Sequence, residues 1–250
     1  MKPLSLRKQL LNTSFSAQAN AGELVLEVYD IIGEDCFGQG ICAKQVSEAI
    51  AAAGNFDRVT LSINSPGGDL FEGVAIYNIL KGCGKPVSAK VIGLAASAAS
   101  LIACAGDEVT MGLGTQYMLH EAMAIEAGYA ADMRKMADTL DSVTNSAADI
   151  YVAKTGMAKD KILAMMAAET WMGSEEACTK GFADACSKTQ AMASTRSFDL
   201  SVFKNAPAEL SKTEPEPKTE PEVAPAPIVE AEADPLIDIY RKRIAVARSK

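Results

Sequence analysis

Histidine is nearly absent from this chain: His120 is the only one among 250 residues. With one imidazole and no CxxC pair among the six cysteines (Cys36, Cys42, Cys83, Cys104, Cys178 and Cys186), a zinc site built from nitrogen and sulfur ligands is not expected. Aromatic residues make up 6% of the chain and Trp171 is the only tryptophan, which suits close helix packing better than an aromatic-lined ligand pocket. Basic charge is in deficit, with a net charge of -8 and a pI near 4.9, and this argues against nucleic acid as the main partner. No apolar run is long enough to span a bilayer; the longest uncharged stretch, residues 91–106, is rich in Ala, Ser and Gly and reads as a buried helix. The opening MKPLSLRKQLLN has no apolar core of secretory length, so a reducing cytoplasm with free thiols is expected.

What is present falls into regions of different composition. Residues 1–19 form an N-terminal segment. From about 20 to 190, strand-like and helix-like segments alternate: β-branched strands at 23–31 and 58–64 flank the helical pattern AKQVSEAIAAAG, a βαβ unit. A helix over 69–81, a strand at 87–92, a helix opening near Ser97, and short strands at 108–111 and 116–120 follow. Such alternation predicts an α/β domain with a largely parallel sheet. Residues 130–154 read as one long helix whose seam of Met133, Met136, Leu140, Val143, Ala147 and Ile150 needs a partner surface, on its own domain or on another subunit. A second helix over 158–169 and a helical turn over 174–180 that ends at Gly181 close the domain.

Seven of the ten prolines lie between Pro207 and Pro235, interleaved with glutamate in EPEPKTEPEVAPAP. The segment 191–234 is therefore expected to be a disordered Pro/Glu-rich linker. Residues 235–250, PLIDIYRKRIAVARSK, reverse the charge with five basic residues against one acid. A short basic amphipathic peptide on an acidic tether reads as a docking segment or as a frayed terminus.

The chemistry concentrates in one window. A serine hydroxyl is a weak nucleophile near neutral pH and needs a base to take its proton. His120, 23 residues after Ser97, is the one histidine available. Ser97 stands at a strand-to-helix junction among Gly93, Ala95, Ala96, Ala98 and Ala99, small neighbours that admit a substrate backbone, and its helix start favours a nearby oxyanion. A bare N-cap role is the plainer reading of Ser97, and Ser100 is a rival nucleophile one turn on. Upstream, INSPGGDLFEG places Gly67 and Gly68 where backbone N–H groups can turn toward developing negative charge. A carboxylate is required to orient the imidazole. Glu169, near Trp171 at a helix end, is a candidate for that role, with Asp160 and Asp132 as alternatives that spacing does not exclude.

The stretches INSPGGDLFEGVAIYNIL, GLAASAASLIACAGDEV and MLHEA resemble the Clp-type serine proteases, in particular their relatives among bacteriophage head-maturation (prohead) proteases, over roughly residues 20–188. The resemblance implies a ClpP/crotonase-like α/β fold of repeated βαβ units with a long protruding handle helix at 130–154, assembled into a homo-oligomeric ring. It implies Ser97 as nucleophile, His120 as base, and the backbone N–H groups of Gly68 and Ala98 as oxyanion donors. Glu169 stands where the family usually has aspartate. No metal or nucleotide cofactor is implied for this chemistry.

The resulting expectation is an ATP-independent serine endopeptidase that cleaves scaffold and capsid proteins within assembling proheads in the host cytoplasm, with the C-terminal tail docking to capsid or scaffold and with no nucleic-acid or membrane partner. Three alternatives stand beside it: a proteolytic subunit served by a cellular ATPase, a Ser-Lys peptidase using Lys90, and a non-catalytic assembly module on the same fold.

Overall fold

The computed structural model describes residues 15–34, 40–190, 198–207 and 210. An antiparallel hairpin of β1 (Phe15–Asn20) and β2 (Glu23–Val28) begins the sheet, so part of the expected N-terminal segment belongs to the domain. Next come the short β3 (Gly33–Glu34) and β4 (Gly40–Ile41), α1 (Ala43–Ala53), β5 (Arg58–Ser65), α2 (Leu70–Gly82) and β6 (Val87–Ala96). Then follow α3 (Ala98–Ala103), β7 (Glu108–Leu113), β8 (Gln116–Leu119), α4 (Ala130–Thr155), α5 (Lys159–Ala167), β9 (Thr170–Gly173), α6 (Ser174–Thr179) and β10 (Ala185–Gln190). The basic segment at 235–250 and most of the linker expected at 191–234 lie outside the described residues, as does the docking role read from them.

The main sheet runs β1-β2-β5-β6-β7-β10, parallel from β2 onward. Its central strand β5 is buried along most of its length, with Val59, Leu61 and Ile63, all at most 1% exposed, on one face and the buried polar Thr60 and Asn64 on the other. Alanine on α3 lets that helix sit close to the sheet: Ala98, Ala99 and Ala103 are fully enclosed. The uncharged stretch 91–106 is buried, but as the end of β6 followed by α3 and a turn rather than as one helix.

One irregularity sets up the site. The β5–β6 register shifts between Ile63 and Ser65, and β6 then changes partner, pairing β7 through Ser88–Val91 and β8 through Leu94–Ala96. Asn64 fixes the change by accepting a hydrogen bond from the Leu94 N–H at 3.0 Å. β8 in turn pairs antiparallel with β9, placing Leu119 opposite Thr170. The carboxyl ends of β6 and β8 and the start of β9 therefore meet at one edge.

The expectation of free thiols fails for one pair. Cys178 on α6 and Cys186 on β10 form a disulfide with Cα atoms 6.8 Å apart, because the chain turns back at Gly181 (φ 81°). Eight residues of separation give no sequence signal for such a bond. Cys42, Cys83 and Cys104 are free.

Candidate active site

Ser97 follows the last residue of β6 and precedes α3, with φ 52° and ψ -124°, a region that side-chain-bearing residues rarely adopt. The turn is held by the Ser97 N–H donating to the Met118 carbonyl at 2.9 Å and by the Ser100 N–H donating to the Ser97 carbonyl at 2.9 Å. Because Met118 lies two residues before His120, the same pairing brings base and hydroxyl together: His120 Nε2 is 2.7 Å from Ser97 Oγ. Ser100, the rival nucleophile, is fully buried, and its hydroxyl donates to the Ser97 carbonyl and meets Tyr151 Oη at 2.7 Å. Lys90 sits on the exposed surface of β6, seven residues before Ser97.

Gly67 packs directly under the serine, and Gly68 against the Ile32 backbone. Gly67 has φ 90°, and a Cβ there would lie 2.5 Å from the Ala96 carbonyl oxygen and 2.7 Å from Ser97 Cβ. Only glycine allows this close approach. The Gly67 carbonyl accepts from Ile32 N–H and the Asp69 N–H donates to the Ile32 carbonyl, both at 2.8 Å, leaving the Gly68 N–H between them without a backbone acceptor among the described residues. The Ala98 N–H opens α3, where a helix has no internal acceptor. Gly68 and Ser97 both line a cavity of about 370 Å³ whose apolar wall includes Phe71, Leu101, Met136, Leu140 and Val143. The long-helix seam thus faces this cavity along part of its length, Ala147 included, which is buried on the domain itself.

Glu169 lies one residue beyond the Leu119–Thr170 pair, on the same edge as His120. It takes φ 47°, again unusual for a residue with a side chain. Its Oε1 accepts from the Asn205 N–H at 2.6 Å and from the Trp171 indole at 3.2 Å, and its Oε2 accepts from the Lys204 N–H at 2.9 Å. Among the described residues no direct hydrogen bond joins Glu169 to His120. Asp132 instead accepts from the Tyr129 N–H at the start of α4, and Asp160 lies in the first turn of α5.

Burial pushes the His120 imidazole below the ordinary histidine value, and the nearby Glu169 charge opposes that shift. Burial alone would raise the Glu169 carboxyl, but the main-chain donors of Asn205 and Lys204, the Trp171 indole and His120 together hold it below the usual carboxylate range. A neutral imidazole on the serine hydroxyl beside an ionised carboxylate is competent for nucleophilic attack assisted by a general base. Among the described residues no group of three or more His, Cys, Asp or Glu side chains is placed to hold a metal ion.

The residues that sequence reasoning missed lie at 198–207, inside the expected linker. Leu200 is 5% exposed and packs with Leu94, Ala96 and Met118, flanked by Trp171, Phe198, Phe203 and Ala206. The available signal was the apolar spacing of Phe198, Leu200, Val202 and Phe203 just before the proline-rich stretch.

A family model described as Clp protease matches residues 38–190. The chain is 29% identical over 153 residues to ATP-dependent Clp protease proteolytic subunit 3 of Rhodococcus jostii (strain RHA1), covering 60% of this chain and 75% of that protein. It is 34% identical over 131 residues to ATP-dependent Clp protease proteolytic subunit 2 of Thermobifida fusca (strain YX), covering 50% and 63% respectively. Against the ATP-dependent Clp protease proteolytic subunit of Deinococcus radiodurans it is 31% identical over 128 residues, again covering 63% of the relative. The chain thus spans less than two thirds of the latter two relatives. Among solved structures, a ClpP1 mutant from Listeria monocytogenes matches with a TM-score of 0.58 at 20% identity, covering 74% of this chain and 97% of that one, a likeness of fold.

Proposed function

Because the chain belongs to the Clp protease family, we propose that it is a serine endopeptidase in which Ser97 attacks the peptide carbonyl and His120 first takes and then returns the proton. The observation that carries this reading is the 2.7 Å contact between His120 Nε2 and Ser97 Oγ. In this reading the Gly68 and Ala98 N–H groups receive the developing oxyanion, and Glu169 stabilises the imidazolium that forms as the proton moves. The substrates are proteins, entering as extended segments beside the apolar cavity.

The setting we favour is a proteolytic subunit that assembles into a ring and is fed by an ATP-driven unfoldase; the relatives above, described as proteolytic subunits of ATP-dependent Clp proteases, support it. Met123, Ile125, Tyr129 and Met133 on and before α4, with Phe71 on α2, are between 38% and 98% exposed and supply apolar surface for subunit contacts. The second reading, a head-maturation protease acting on scaffold and capsid without ATP, rests on the acidic Pro/Glu-rich and basic terminal composition of residues 206–250. Degradation of an unfolded protein by the parent chain and its loss in Ser97→Ala test the chemistry; intact degradation by that variant would refute it. Stimulation by an unfoldase with ATP favours the first setting. Cleavage of capsid or scaffold protein without ATP, lost on removal of residues 214–250, favours the second.

A further inference from the structure

The segment at 198–207 lies against three parts of the site at once. Leu200 is buried against Ala96, the residue before Ser97, and against Met118, two residues before His120. The Phe203 ring meets His120 edge-on at 5.5 Å and Trp171 at 5.7 Å, wedged between the base and the strand that follows Glu169. The chain then delivers two consecutive main-chain N–H groups, of Lys204 and Asn205, to the two oxygens of Glu169 at 2.9 and 2.6 Å. Asn205 Nδ2 also donates to the Ala168 carbonyl at 3.0 Å, fixing the segment to the turn that carries the acid.

Such an arrangement answers a specific problem. A glutamate has one more rotatable bond than the aspartate usual in a triad, and Glu169 additionally holds φ 47°, a conformation that persists only where its surroundings enforce it. Without its donors the carboxylate is free to swing into solvent. The segment leaves one side of the serine open: the 370 Å³ cavity beside Ser97 has no wall from residues 198–207, while Asp199, Val202 and Phe203 line a second cavity of about 270 Å³ together with Gly68, Ser97 and His120. Besides forming that wall, the segment grips the acid and meets the base.

We propose that residues 198–207 form a positioning strap for the catalytic site, in which the Lys204 and Asn205 N–H groups hold Glu169 beside His120 and Phe203 fixes the imidazole plane. This rests on the triad reading above. The strap acts on the reaction through Glu169 and His120.

The test uses the full chain and follows acylation of Ser97 by a fluorophosphonate as a function of pH, with melting temperature recorded in parallel. Lys204→Pro removes one donor, whereas Lys204→Ala keeps it; the proline variant should be acylated at least about tenfold more slowly than the alanine variant. Its acid limb should move to lower pH, because a displaced Glu169 no longer favours the charged imidazole. Phe203→Ala should slow acylation in the same way and Phe203→Tyr should restore it, a pair that stands if the proline variant does not fold. Equal rates and equal limbs for the proline and alanine variants, or a lowered melting temperature with an unmoved limb, would overturn the strap while leaving the triad intact. Faster acylation in Lys204→Pro would make the segment a restraint instead. A parent chain not acylated at Ser97 would overturn the triad reading and the strap with it.

Discussion

At the scale of the residue, the site depends on two backbone conformations that side chains ordinarily avoid, at Ser97 (φ 52°) and Glu169 (φ 47°). Each costs on the order of 1–3 kcal/mol and is kept by neighbours that leave no alternative. The protonation of His120 follows from its surroundings. Burial holds its folded-state value below the ordinary 6.5, so the imidazole is neutral and basic through the neutral range. Activity should therefore be constant near pH 7 and fall only as pH drops below that ordinary value. The same shift makes the unfolded state bind more protons in that acid window, so this group's contribution to stability is present above the unfolded value and lost as pH falls through the folded one. Glu169→Gln removes the charge that raises His120, so the acid limb of kcat/KM should move further down in pH while the rate falls by at least about 100-fold. A pH–rate profile of the two proteins checks this; an unmoved limb would detach Glu169 from the base.

At the scale of the element, α3 is held to the rest of the molecule by a buried polar cluster. Tyr117 Oη donates to the Ser100 carbonyl, Cys104 Sγ lies 3.2 Å from Tyr117 Oη, and Ser100 Oγ meets Tyr151 Oη. Burial pushes the Cys104 thiol up to about 11, so it stays protonated. Tyr117→Phe removes a buried hydroxyl with two partners and should lower unfolding free energy by about 1–3 kcal/mol, read by denaturant titration. It should also slow acylation of Ser97, since α3 begins at the residue after the nucleophile. The sequence reading located β2, β5, β6, β7, β8 and the longer helices, and named Ser97 and His120, which lie 2.7 Å apart, because period-2 and period-3.6 patterns and the small-residue elbow are local signals. It did not foresee β9, β10 or the transfer of β6 from β7 to β8. Those depend on a register shift beside Asn64 and on pairings between Leu119 and Thr170, more than 50 residues apart. Glu169 was reached through family resemblance; its surroundings were hidden because its ligands come from Lys204 and Asn205, 35 and 36 residues downstream.

At the scale of the whole molecule, one sheet edge gathers nucleophile, base and acid, the 26-residue α4 lines the cavity beside them, and the segment before α4 exposes apolar side chains. Ile125 is 98% exposed and Tyr129 86%, a pattern that calls for a partner surface. Ile125→Glu combined with Met133→Glu should shift the protein toward smaller assemblies in light scattering while leaving the melting temperature of the isolated chain nearly unchanged. An unaltered mass would assign assembly to another face.

The most direct test of the central claim is covalent labelling of the full-length protein with a fluorophosphonate, with the modified peptide located by mass spectrometry. The account predicts a single adduct on Ser97 that disappears in His120→Ala. An adduct on Ser100, or one on Ser97 that forms equally fast without His120, would contradict it.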